Sequence, residues 1–313
     1  MAKLQSTEIV GVANRPATIC ANTMCLWFDT TTLKPMASYC GYSAGVWSSG
    51  GVLITGRRRP SGAGTQNLGL LAGGGISNGH TTCTEEYNGT SWSAGGALSN
   101  TRYGAAGAGT QNEGLIMGGQ APLSCTEEYN GTSWSAGGAL ITARSTSAGA
   151  GTQNAGLAAG GFVNAILACT EEYNGTSWSA GGALITARNA LAGAGTQNEG
   201  LAFGGANTCT NTEEYNGTTW SAGGALALGR YGSASAGTQN AALVAGGGGG
   251  TSVEEYNGTS WSSAAAGPAV RFSSGGGSQL AAFVTGGSGA SAQLFVSSTD
   301  EYTKTFTIID TCL

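Results

Sequence analysis

Charge is scarce in this chain. Only 9% of its 313 residues are Asp, Glu, Lys or Arg, against 40% hydrophobic, which excludes the charged, hydrophobe-poor composition of a solvated disordered protein. Apart from Arg57, Arg58 and Arg59 no basic run exists, so a surface that tracks nucleic-acid phosphates is not expected. Histidine occurs once, at His80, so a two-histidine copper site cannot be built and a Ser-His-Asp triad would depend on that one residue. Nowhere do eighteen apolar residues run together, and residues 1 to 16 lack an apolar stretch behind a basic start. Neither a membrane-spanning helix nor a secretory signal is therefore expected. Without a signal, the even number of eight cysteines is weak ground for a disulfide framework. No Cys-x-x-Cys spacing suggests zinc, and no metal or cofactor is expected.

What the chain has in abundance is glycine, 57 residues, and it is arranged in a repeat. Trp47, Trp92, Trp134, Trp178, Trp220 and Trp261 are spaced 45, 42, 44, 42 and 41 residues apart. Ten residues after each stands an arginine: Arg57, Arg102, Arg144, Arg188, Arg230 and Arg271. A full unit reads as an Ala/Gly/Ser stretch, Thr152-Gln153-Asn154, a short apolar run ending in Gly160-Gly161, a variable loop, Glu171-Glu172-Tyr173, Asn174-Gly175 and Thr176-Ser177-Trp178. The Asn-Gly dipeptide between two β-prone runs predicts a type I′ hairpin. Four short strands in 40 to 45 residues make one propeller blade, and six glycine doublets predict six blades. The fold expected is all-β.

The last unit departs from the pattern: Asp300-Glu301-Tyr302 is present, but Phe306 stands near the Trp position. Tyr42 to Trp47, conversely, keeps the repeat's spacing ahead of the first full unit. Either this N-terminal strand closes the ring by pairing in the last blade, or the hairpin stays outside. The division expected is an attachment or closure segment at 1–50 and a propeller at 51–313.

Successive turns of an antiparallel meander alternate between the two ends of the strands. The near-invariant Thr-Gln-Asn and Asn-Gly turns then share one face, and the loops between second and third strands share the other. These loops differ freely, which marks the second face as the binding surface. Candidate contacts on it are Asn78, His80, Leu123, Phe162, Asn164, Ile166, Asn207, Leu294 and Phe295.

Other repeated residues are expected to be structural. Twelve of the seventeen acidic residues form the pairs Glu85-Glu86, Glu127-Glu128, Glu171-Glu172, Glu213-Glu214, Glu254-Glu255 and Asp300-Glu301. Neighbours on a strand point to opposite faces, so a pair cannot converge on one proton or metal; the repeated arginines are the expected partners. The tryptophans are expected to pack against neighbouring blades rather than stack sugars. Cys83, Cys125, Cys169 and Cys209 precede the third strands and are expected as buried small hydrophobes. Cys20, Cys25, Cys40 and Cys312 lie outside the repeat and could pair. The repeat arginines, spread one per blade, are not expected to gather into the mouth cluster that a sialidase-type propeller needs.

The glycine doublet, the tyrosine about ten residues on, the tryptophan five residues later and the arginine beyond resemble the kelch motif, from Arg57 to about Asp310, and imply a kelch-like β-propeller. Leu26-Trp27-Phe28-Asp29-Thr30-Thr31-Thr32-Leu33-Lys34, followed by Tyr42 and Trp47, resembles a segment of bacteriophage tail-fibre and other virion proteins. The repeats are similar to kelch-like proteins of marine phages. These resemblances imply a non-enzymatic virion protein of the tail or capsid surface, held to other virion proteins through residues 1–50. Its variable loops would recognise a host-surface glycan or protein, with no nucleic-acid or membrane partner and a homo-oligomer as an option. A passive decoration protein and a carbohydrate-active enzyme are the alternatives.

Overall fold

The computed structural model describes residues 24–29, 34–120, 123–248, 250–289 and 295–312. The described residues form strands and turns without helix, in two compact units: Trp47–Thr303, and Met1–Val46 with Lys304–Leu313.

The larger unit is a six-bladed β-propeller. Six antiparallel four-stranded sheets follow one another along the chain, spanning 61–94, 106–136, 148–181, 192–222, 234–263 and 274–303, here blades 1 to 6. In blade 3 the strands are Ala148–Thr152, Ala155–Ala159, Thr170–Tyr173 and Trp178–Gly181, in that spatial order. The Ala/Gly first strands line a central cavity of about 230 Å³. Glycine is needed there because blades converge: a Cβ on Gly149 would stand 2.6 Å from the Gly107 carbonyl oxygen. The apolar second strands, such as Leu157, Ala158 and Ala159, are buried on both sides and supply the layers between blades.

Blade 6 has only three strands from its own stretch: Ser274–Gly277, Ala281–Thr285 and Thr299–Thr303. Its outer strand is Val46–Ser49, from the other end of the chain, so the ring closes by the first of the two routes open in the sequence. The boundary expected at residue 50 therefore moves. Val46–Ser49 carries the Trp-bearing strand that the last repeat lacks, while Phe306 begins a strand of the smaller unit.

That unit contains a three-stranded sheet, with Lys34–Tyr42 between Met24–Asp29 and Phe306–Cys312. Its register runs from Met24 opposite Tyr39 and from Tyr42 opposite Phe306. The possible pairing of Cys20, Cys25, Cys40 and Cys312 falls on residues or side chains outside the described ones.

The Asn-Gly connections are not type I′ turns. Positive φ falls on the glycine alone, 85° at Gly175, and four residues, 174–177, join the strands. The Asn174 amide oxygen accepts from the Thr176 and Ser177 N–H groups at 3.0 and 2.9 Å, an Asx turn in which the side chain does the work of a second positive-φ residue.

Candidate functional site

The repeated polar residues are consumed in holding blades together. Arg57, Arg102, Arg144, Arg188 and Arg230 are buried and pair with Glu85, Glu127, Glu171, Glu213 and Glu254 of their own blades. Arg102 Nη2 lies 2.7 Å from Glu127 Oε1, and its Nη1 donates to the Gly118 and Cys125 carbonyls at 3.0 and 2.7 Å. Glu127 Oε2 accepts the Ser99 N–H at 2.8 Å, pinning the linker between blades. Desolvation by burial pulls the Arg230 guanidinium below its ordinary value, against the Glu254 charge.

The second glutamate of each pair faces the next blade, as alternation requires. Tyr173 OH donates to Glu128 Oε1 at 2.5 Å and Tyr256 OH to Glu214 Oε1 at 2.6 Å; the same contact recurs in all six interfaces, Tyr87 reaching Glu301 across the closure. Burial, then this hydrogen bond, pushes Tyr129, Tyr215 and Tyr256 up to about 12.

The tryptophans also join blades. Trp178 Nε1 donates to Thr126 Oγ1 at 3.0 Å, and Trp92, Trp134, Trp220 and Trp261 do the same to Thr299, Thr84, Thr170 and Thr212. Trp47 finds Val253 where the threonine would be and donates instead to the Ala265 carbonyl at 3.0 Å.

Two expectations need correction. The cysteines are not buried: Cys83 and Cys125 are exposed, Cys169 and Cys209 half-buried. What the fold uses at this place is the backbone carbonyl, and in blade 4 that carbonyl belongs to Asn211 rather than Cys209. Arg271 is the other. Ser274 pairs with Thr285 as Ala234 pairs with Ala245, which puts Val270, not Arg271, in register with Arg230. Gly247 N–H accordingly donates to the Val270 carbonyl as Gly205 N–H does to that of Arg230. The linker after Trp261 is one residue shorter, so the ten-residue count lands one place late.

That slip places Arg271 with Arg58 on the face of the variable loops. Around this mouth the residues two places beyond the register arginine, Arg59, Gly104, Thr146, Ala190, Gly232 and Phe272, all have positive φ, between 48° and 64°. Each N–H donates to the carbonyl of its counterpart in the preceding blade, at 2.5 to 3.0 Å, in a closed ring of six hydrogen bonds. Four of these residues are not glycine, and holding them left-handed costs about 1–3 kcal/mol each, strain of the kind that gathers at functional sites.

The side chains at this mouth abandon the repeat. Tyr231 lies 5.7 Å from Phe272 between ring centroids, the Arg59 guanidinium sits 4.0 Å over Phe272 and 5.2 Å from Tyr103, and Arg58 stands 5.6 Å from both Tyr103 and Phe295. His80 stacks on Tyr103 at 4.8 Å. The result is an arc of aromatic and guanidinium groups over blades 5, 6, 1 and 2. Desolvation lowers the Arg59 pKa, and the Arg58 charge lowers it further. Blades 3 and 4 offer the neutral Ser145, Thr146, Asn189 and Ala190 instead.

Of the sequence candidates, His80 and Phe295 join the arc. Asn78 is exposed in the small hairpin Gly75–His80. Phe162, Asn164 and Ile166 form a separate exposed loop on blade 3, and Asn207 is exposed on blade 4 with φ 62°. Leu123 is half-buried and bridges to the Arg144 backbone, a structural role. Leu294 lies outside the described residues. Tyr103, Tyr231 and Phe272 were missed: the two residues after each register arginine differ in most blades, but so do the loops between second and third strands, and variation alone did not single them out.

No protein-family pattern and no curated protein matches this chain in sequence. Its fold, however, has solved counterparts. A structure titled "Structure of YjhT" superposes with a TM-score of 0.64 over 83% of this chain and 99% of that one, at 11% identity. At that identity the likeness speaks for the propeller fold alone.

Proposed function

We propose that this protein is a non-catalytic recognition module whose ligand docks on the mouth and loops of the variable face. One observation carries the reading: one face departs from the repeat in several ways at once. The mouth arc is there, as are the differing loops. Among the described residues of the propeller unit, every exposed large hydrophobic except Leu68 belongs to a linker or loop of that side: Val52, Ile54, Ile141, Phe162, Ile166, Ile185 and Leu228. Linkers and loops share the face, since Leu140 N–H donates to Ser124 O and Leu184 N–H to Ala168 O. Exposed apolar groups gathered on one side mark a contact surface, whereas the opposite face repeats the same turns from blade to blade.

The resemblance of residues 26–34 and of the repeats to phage proteins supports a more specific setting, a virion component of tail or capsid surface that recognises a host-surface glycan or protein. Binding of the purified protein to a panel of bacterial surface polysaccharides and outer-membrane proteins tests the reading. Phe162→Ser with Ile166→Ser should weaken binding while leaving the melting temperature unchanged. A protein that binds nothing on the panel, while remaining on purified particles, would favour passive decoration instead.

A further inference from the structure

Among the described residues the arginines divide by whether they meet a carboxylate. Five are closed in ion pairs inside blades. Arg58, Arg59 and Arg271 have no ion-pair partner among the described residues, and each has a buried Nε with no hydrogen-bond acceptor. Buried donors left unmet are rare because they forfeit water without replacement, and a guanidinium forfeits more than a neutral group. A fourth orphaned Nε belongs to Arg188, whose guanidinium is otherwise satisfied by Glu213; the other three belong to guanidiniums with no carboxylate and share one mouth, on the adjoining blades 6 and 1. Three further unpartnered atoms border the same mouth: Asn189 Oδ1, Ser147 Oγ and Ser273 Oγ.

The mouth also supplies flat apolar faces beside the cations. Arg59 and Phe272 line a depression of about 100 Å³ on the propeller axis, with Tyr103 and Phe295 just outside it. Guanidinium forks match the geometry of an oxyanion, aromatic faces take a ring, and hydroxyl and amide groups across the mouth suit hydroxyl partners.

We propose that Arg58, Arg59 and Arg271 form a binding site for an oxyanion carried on a sugar ring, a chemistry shared by uronic acids, sulfated sugars and sugar phosphates. This deepens the reading of the variable face as the recognition surface and rests on it. The orphaned donors are the groups that such an anion satisfies, and the aromatic arc holds the ring that bears it.

Titration calorimetry with the full chain tests the proposal, using an oligogalacturonate, a sulfated oligosaccharide, a sugar phosphate, inorganic phosphate and a neutral oligosaccharide of matched length. At least one of the three anionic sugars should bind more tightly than the neutral one, and which of them binds identifies the source of the anion. Affinity should fall steeply between 50 and 300 mM salt, on the order of tenfold or more for several charge contacts. Arg59→Gln should cost about tenfold to a hundredfold, and Arg271→Gln, on a different blade, provides a second variant should the first fail to fold. Leu68→Ser, exposed beside the hairpin turn of the opposite face, should leave this affinity unchanged. Equal affinity for anionic and neutral sugars, or anion binding untouched by both arginine variants, overturns the site. Tighter binding of the neutral oligosaccharide than of every anionic sugar, lost in Phe162→Ser, would overturn it too, while keeping the recognition face. No binding to any probe, together with no binding to the surface-polymer panel, would remove both readings.

Discussion

Arg144 is enclosed on every side by its own blade. Its guanidinium pairs with Glu171 and donates to the Gly160 and Cys169 carbonyls at 3.0 and 2.9 Å, with both side chains almost wholly out of water. Truncation strands a buried carboxylate and the Gly160 and Cys169 carbonyls, a loss of about 3–5 kcal/mol. Arg144→Ala, Arg188→Ala and Arg230→Ala should each lower the melting temperature by roughly 2–4 °C for every kcal/mol lost. Calorimetry on the three variants checks this, and three unshifted melting curves would refute the pairing's importance. Blade 6 offers the natural contrast. Val270 stands where the arginine would be, and Asp300 occupies the place of Glu85 and Glu254. Burial raises the Asp300 pKa above the ordinary carboxylate value, opposed by the Ser298 hydrogen bond. Its folded pKa thus exceeds the unfolded one, so the contribution favouring the fold is complete below the unfolded pKa and vanishes as pH rises through the folded value. Asp300→Asn should therefore melt above the wild type at pH 7, with the gap closing toward pH 3; a variant that melts lower at neutral pH would contradict it.

A blade is the unit in which the sequence was most readable and also where it misled. Strand order, the inward Ala/Gly strand and the outer tryptophan follow from the repeat, because identical residues at a fixed period must occupy identical environments. Counting could not detect the missing residue between Trp261 and Ser274, since spacing without strand register cannot say which of two adjacent positions faces inward. Nor could it foresee Gln153, whose amide donates to the Gly114 and Tyr129 carbonyls of the preceding blade at 3.1 and 2.6 Å; Thr-Gln-Asn reads as a mere turn until the neighbouring blade is in place. The mouth was illegible for the opposite reason: its residues differ, and a difference means something only once the ring brings six of them together. Blade-to-blade contacts also set an alkaline limit. Tyr129, Tyr215 and Tyr256 are raised to about 12 from the usual value near 10, by burial and by glutamates that accept from the phenol. With folded pKa above unfolded, their contribution is complete below about pH 10 and is lost as pH rises toward 12. Melting temperature should hold to about pH 9.5 and then drop steeply, with these phenols ionising together as the protein unfolds. Phenolate absorbance rising near pH 10 from all six interface tyrosines in a still-folded protein would rule this out.

The propeller as a whole depends on a strand from far away in sequence. Val46–Ser49 completes blade 6, with Gly50 N–H donating to the Thr299 carbonyl at 2.8 Å just beyond it. Trp47 packs 5.0 Å from Tyr302 and reaches the Ala265 carbonyl, so it ties blade 6 to the linker that leaves blade 5. On the other side of blade 6, Gln66, Tyr87 and Trp92 of blade 1 reach Tyr302, Glu301 and Thr299. Those contacts survive without the N-terminal strand, but blade 6 then presents an unpaired edge and an emptied tryptophan site. Removing a fully buried tryptophan costs about 3–5 kcal/mol; the half-buried Trp47 contributes less than that, and the edge adds unmet backbone groups that invite pairing with another chain. A chain starting at residue 51 should therefore melt well below one starting at residue 46 and should self-associate. Both lack residues 1–45, so the comparison isolates the closing strand from whatever the smaller unit contributes. Scanning calorimetry with light scattering on the two truncations provides the measurement. If both melt at the same temperature and stay monomeric, the ring does not depend on Val46–Ser49 for its closure.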